Sequence, residues 1–123
     1  MNWLMVAFGG SIGAIIRYGI DRIITNYCKN DLIGILSINV SGSFILGIIL
    51  GFMQSKVTLN SNLHLMLTVG FCASFTTFSS ITVSSAKLIL DGDYQKALFN
   101  IVGNLTLGLI AALLGIYISK NLV

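Results

Sequence analysis

The sequence predicts an all-α membrane protein of four transmembrane helices, with a break in the third. Three observations carry this. The chain of 123 residues is 55% hydrophobic and only 9% charged, with a mean hydropathy of +0.92, whereas a soluble domain carries about 25% charged residues. Its apolar residues fall into four runs parted by short polar stretches. The third run carries Gly70-Phe71-Cys72-Ala73-Ser74-Phe75-Thr76-Thr77-Phe78-Ser79-Ser80, far more polar than a helix facing lipid tolerates.

At a rise of about 1.5 Å per residue, each run is long enough to cross a bilayer core of roughly 30 Å. The length suits one four-helix domain over residues 1–123, with helices at about 3–24, 32–53, 63–90 and 97–119. The net charge of +3 is scattered and forms no basic patch, so no nucleic-acid partner is expected. Met1-Asn2-Trp3 lacks the positive region of a signal peptide, so the first helix is expected to stay in the mature protein. Cys28 and Cys72 have no metal-ligand spacing, and their placement argues against a disulfide.

In the first run, Gly9-Gly10-Ser11-Ile12-Gly13-Ala14 offers the small face that close helix packing in lipid needs. Arg17 has two readings: it snorkels to the interface, or it lines an aqueous vestibule that attracts anions. The second run has no charge between Asp31 and Lys56, yet it holds Asn39, Ser41 and Ser43. The serines can bond back to their own helix, but the Asn39 amide needs a partner helix or water. It either bonds another helix or serves a pore. Lys56–Asn62 reads as a polar loop and Asp91-Gly92-Asp93 as a turn. In the fourth run, Asn100 and Asn104 are four apart and share a face.

Four spans put both termini on one side. Lys56 and Lys120 belong to that side, and Arg22, Lys29, Lys87 and Lys96 to the other. This weak bias mildly favours termini outside and suits insertion in either orientation, or a partner of opposite bias.

Asp21, Asp31, Asp91 and Asp93 all fall at run ends, so no mid-membrane carboxylate is available for proton coupling. No nucleophile–base pair, phosphate loop or metal cluster is visible, and no enzymatic activity is expected. The remaining chemistry is hydroxyls, amides, aromatic edges and backbone dipoles. Phe71, Phe75 and Phe78 are at helical spacing, which on spacing alone reads as a packing stripe; the alternative is ring edges presented to an anion. A break at Ala73 to Thr76 would free carbonyls able to hold Na⁺. Four thin helices do not readily enclose a pore, so an oligomer is expected.

Three stretches carry a resemblance: Gly9 to Tyr18, Ile38-Asn39-Val40-Ser41-Gly42-Ser43-Phe44, and Gly70 to Ser80, with Asn104 and Gly115 echoing a fourth. Together they resemble, in order and over essentially the whole chain, the motifs of the small bacterial fluoride channels called Fluc or CrcB. The third motif is specific enough to point to that family nearly alone. The resemblance implies an antiparallel, dual-topology dimer in the bacterial plasma (inner) membrane, with two narrow pores selective for F⁻ over Cl⁻ that lower cytoplasmic fluoride. It implies a central structural Na⁺ on the carbonyls of Ala73 and Thr76 from both subunits. Phe78 would present its ring edge to the ion, Asn39 would be a pore-lining amide, and Thr77, Ser80 and Asn104 would belong to the polar track. Arg17 would be the vestibule arginine.

Three positions depart from the family pattern. Ala73-Ser74 replaces Gly-Gly, Gly108 replaces a fourth-helix Ser, and Ile81 stands where a second pore Phe is usual. Such departures suit altered conduction, or a chain that forms a heterodimer with a paralogous subunit rather than a homodimer. The competing readings are a small dual-topology proton-coupled exporter and an accessory subunit that conducts only with such a partner.

Overall fold

The computed structural model describes residues 2–55 and 60–122. Among them are α1 (Asn2–Cys28), α2 (Asp31–Gln54), α3 (Ser61–Leu65), a π-helical segment (Met66–Cys72), α4 (Ala73–Phe75), α5 (Phe78–Leu90) and α6 (Tyr94–Asn121). The elements from Ser61 to Leu90 form one interrupted span. Among the described residues there are therefore four helical spans long and apolar enough to cross a membrane. Of the loop expected at Lys56–Asn62, residues 56–59, Lys56 among them, lie outside the described residues.

Capping residues carry the helices a few residues past the ends of the apolar runs. Asn30 accepts from the Leu32 N–H at 3.0 Å and starts α2, and Asn60 accepts from the Asn62 N–H at 3.0 Å and starts α3. Both satisfy amide groups that a helix start leaves without partners. Gly92 adopts φ +82°, where a side chain would be strained. It lets Gly92 and Asp93 donate back to the Ile89 and Leu88 carbonyls at 3.1 and 2.8 Å, closing α5 before α6 begins.

Two pairs of parallel helices make up the bundle. Along α2 and α6, Gly47 lies against the Ala112 carbonyl, Gly115 against the Phe44 carbonyl, and Gly51 beside Ser119 and Ile116. Both chains advance together, so these helices are parallel. Gly9 meets Met66 and Gly13 meets Phe71 in the same sense, which makes α1 parallel to the first half of the third span. A Cβ at these glycines would run into opposing backbone. Close approach of this kind supplies dispersion contacts where lipid removes the hydrophobic drive between helices.

Hydroxyls inside the spans mostly bond back to their own helix. Ser37 Oγ donates to the Ile33 carbonyl, Ser41 Oγ to that of Ser37, and Thr106 Oγ1 to that of Val102, at 2.6 to 2.7 Å. Large side chains such as Leu105, Leu109 and Leu113 of α6 remain exposed, as a lipid-facing surface requires.

Candidate functional site

The third span departs from a straight helix in two ways. From Met66 to Cys72 it widens to a π-helix. Then the backbone extends at Thr76 (φ −80°, ψ 158°) and Thr77 (φ −147°, ψ 108°) before α5 begins. The interruption is therefore narrower and later than the expected Ala73 to Thr76. Ala73 is helical at φ −67°, ψ −30°, a conformation any residue adopts, so the replacement of Gly by Ala costs this backbone nothing.

Asn39 of α2 holds the extended residue. The Thr77 N–H donates to Asn39 Oδ1 at 2.8 Å, and Asn39 Nδ2 donates to the Thr77 carbonyl at 3.3 Å. In an unbroken helix the Thr77 N–H would bond the Ala73 carbonyl four residues back; here Asn39 takes that proton. The Thr76 N–H and Oγ1 both donate to the Cys72 carbonyl, at 3.1 and 3.0 Å. The break thus sets the carbonyl end of α4 against the amide end of α5, a negative pole facing a positive one.

Behind Asn39 runs a chain of amides. Asn39 Nδ2 donates to Asn104 Oδ1 at 2.9 Å, and Asn104 Nδ2 donates to the Asn100 carbonyl at 2.8 Å and to Asn100 Oδ1 at 3.1 Å. Asn100 Nδ2 reaches Ser84 Oγ, Ser85 Oγ and the Ile81 carbonyl at 3.0, 2.9 and 3.3 Å. All three asparagines are buried.

In front of the break lies a hydroxyl cluster. Thr77 Oγ1 caps α5 by accepting from the Ser80 N–H at 3.2 Å, and it lies 3.3 Å from Ser79 Oγ and 2.9 Å from Ser80 Oγ. These three residues line a cavity of about 890 Å³ whose wall also carries Arg17, Tyr18, Asp21, Lys29, Lys87 and Lys96. Asp31 and Asp91 line it as well, so its charged residues are mixed in sign, and Thr77, Ser79, Ser80 and Ser84 add neutral hydroxyls. The single ion pair among the described residues is Lys96–Asp93 at 2.9 Å, so Arg17 stands unpaired in the mouth.

A family model described as "CrcB-like protein, Camphor Resistance (CrcB)" matches residues 4–116. The chain belongs to the CrcB-like family. It is 40% identical over 122 residues, 98% of each chain, to a protein of Sulfurihydrogenibium sp. named "Fluoride-specific ion channel FluC". Proteins of the same name from Hydrogenobaculum sp. and Dehalococcoides mccartyi are 36% and 35% identical, over 94% and 97% of this chain and 94% and 92% of their own. These names describe a channel rather than an enzyme, in line with the sequence expectation.

Of the residues singled out by sequence, Asn39, Thr77, Ser80 and Asn104 come together in one hydrogen-bonded group. Ile81 is buried one turn into α5, with its carbonyl on Asn100. Phe78 stands apart, 72% exposed on the outer surface at the start of α5. The Phe stripe is split by the break: Phe71 and Phe75 stack with centroids 5.5 Å apart, and Phe78 does not join them. Gly108 faces Ser43 Oγ across the α2–α6 contact. Asn100, Ser84 and Ser85 fall outside the residues the sequence marks for the site, whereas Ser79 falls inside the Gly70 to Ser80 stretch; the four-residue spacing of Asn100 and Asn104 is the signal available for Asn100.

Proposed function

We propose that this chain is a passive, selective fluoride channel that lowers cytoplasmic fluoride across a bacterial plasma membrane. The observation that carries the reading is the clamped break: Thr77 held by Asn39 at the inner end of a cavity whose mouth carries Arg17. Family membership and the names of the relatives support it. Fluoride is small and strongly hydrated, so it enters only where donors replace its water. The first turn of α5 offers hydroxyls and a positive helix pole together.

In this reading F⁻ enters past Arg17 and moves along Thr77 and Ser80 beside the Phe78 ring edge, with Asn39, Asn104 and Ile81 forming the inner wall. The exposure of Phe78 supports completion of the path by a second chain, in an antiparallel dimer of this chain or with a paralogous subunit. In this reading the Ala73 carbonyl, deprived of the Thr77 N–H, and the Thr76 carbonyl would hold a structural Na⁺. Bound there with their counterparts from the second subunit, Na⁺ would supply a fixed positive charge that holds the two breaks together.

Growth tests this directly. A bacterial strain lacking fluoride export should regain growth in millimolar fluoride when it expresses this chain. No protection, alone or with a paralogous partner, would contradict the proposal.

A further inference from the structure

Two glycines of α1 meet the third span at a spacing that an α-helix does not offer. Gly9 lies against the Met66 carbonyl and Gly13 against the Phe71 carbonyl, so four residues of α1 match five of its partner. In the other parallel pair the spacing is equal, with Gly47 on the Ala112 carbonyl and Gly51 on that of Ile116. Four residues of α-helix rise about 6 Å and five about 7.5 Å. Carbonyls five apart also stand roughly 140° apart around an α-helix axis, and could not both face α1.

A wider turn removes the mismatch. The Met66 N–H bonds the Asn62 carbonyl, four residues back, and the Thr76 N–H bonds that of Cys72, again four back. Between them the Ala73 N–H bonds the Thr68 carbonyl, five back. A five-residue turn brings residues five apart onto one face. Met66–Cys72 therefore holds one residue more than an α-helix of the same length. Helices rarely adopt such turns, so local preference does not select this one. Main-chain contact does: a Cβ on Gly9, Gly13 or Gly70 would run into the backbone of the facing segment.

The surplus residue bears on everything after it. Relaxed to an α-helix, the segment would advance the chain beyond it by about 1.5 Å and turn it by about 100°. Thr77, whose main chain is bonded by Asn39, would leave that position. We infer that Gly9 and Gly13 are positioning residues. Contact with α1 sets the register of the third span, and Met66–Cys72 takes up the one residue by which the chain exceeds it. The inference concerns the register of the span and does not depend on the ion.

Single-residue deletion tests it, in full-length ¹⁵N-labelled protein in nanodiscs. Deletion of Val69 should convert the segment to an α-helix and leave the chain beyond it in place. The Thr77 backbone amide should keep its wild-type resonance, the thermal midpoint should equal or exceed that of wild type, and fluoride flux should be retained. The matched control is deletion of Val83 in α5, since the two valines are 50% and 56% exposed. The regular helix α5 has no surplus residue, so this deletion should carry Ser84 and Ser85 away from Asn100 and lower the midpoint. Equal effects of the two deletions, or a displaced Thr77 amide after deletion of Val69, would overturn the inference. Gly13→Ala should move the Thr77 amide, whereas Gly19→Ala, whose Cβ meets nothing within 4 Å, should not. An unmoved Thr77 amide in Gly13→Ala would overturn the positioning role. If wild type carries no fluoride, the channel reading fails, and the amide and midpoint comparisons still decide the register.

Discussion

Asn39 and Thr77, 38 positions apart, exchange both main-chain hydrogen bonds of Thr77 through a single amide: N–H to Oδ1 at 2.8 Å and Nδ2 to C=O at 3.3 Å. A side chain from α2 thus takes the place of the helix that the third span gives up. An interruption at membrane depth survives only where protein satisfies its backbone, and here one residue supplies both partners.

Removing that residue exposes the cost. Asn39→Ala leaves a buried N–H and C=O without partners, each worth about 1–3 kcal/mol. Thermal unfolding in detergent should shift clearly down, and a midpoint equal to wild type would show that the break is held by something else.

Phe78 should behave in the opposite way. Its side chain is 72% exposed within the chain, so Phe78→Ala should leave the fold of the subunit unaltered by circular dichroism while reducing fluoride flux at least about tenfold, the loss expected of a pore-lining aromatic edge. Loss of helicity in that variant would assign Phe78 to folding rather than permeation.

The packing of the parallel pairs makes its own forecast. A Cβ on Gly47 or Gly115 would strike the Ala112 or Phe44 carbonyl, whereas one on Gly19 meets nothing within 4 Å. Gly47→Ala and Gly115→Ala should destabilise by about 1–3 kcal/mol through forced separation of α2 and α6. Gly19→Ala should be neutral or gain up to about 1 kcal/mol from helix propensity. Equal effects at all three sites, read by thermal unfolding, would refute the parallel contact.

Much of this was legible in the chain. Four apolar runs determine the spans, and the hydroxyl-rich stretch from Gly70 to Ser80 marks the interrupted one. Asn39, the one amide deep in the second run, marks its support. The position of the break was not legible, because Thr77 rather than Ala73 is released by a residue 38 positions away. The π-helical segment from Met66 to Cys72 left no trace either, since a change of hydrogen-bond register needs no change of composition. Nor could spacing tell that Asn100 meets Ser84, Ser85 and the Ile81 carbonyl. Phe78 continues the helical spacing of the stacked Phe71 and Phe75, and only the break separates it from them.

Arg17 provides a test by ionic strength. It stands unpaired in the cavity mouth, so Arg17→Gln should slow anion entry by roughly tenfold in low salt. The difference should shrink once the Debye length falls to about 3 Å near 1 M salt. A deficit independent of salt would point to a packing role for its stem.

The proposed Na⁺ can be removed. Protein prepared in a large organic cation should unfold at a lower temperature than protein in Na⁺, and added Na⁺ should restore the midpoint while fluoride is absent. Indifference to Na⁺ would leave the Ala73 and Thr76 carbonyls without that ligand.

The clamped break is proposed to belong to a passive fluoride path. It is tested most directly by fluoride release from liposomes that contain this chain alone, loaded with potassium fluoride and read with a fluoride electrode. Release should begin when a potassium ionophore lets charge balance, without a proton gradient, and potassium chloride vesicles should hold their chloride. No release on adding the ionophore, or release that needs a pH gradient, would contradict the account.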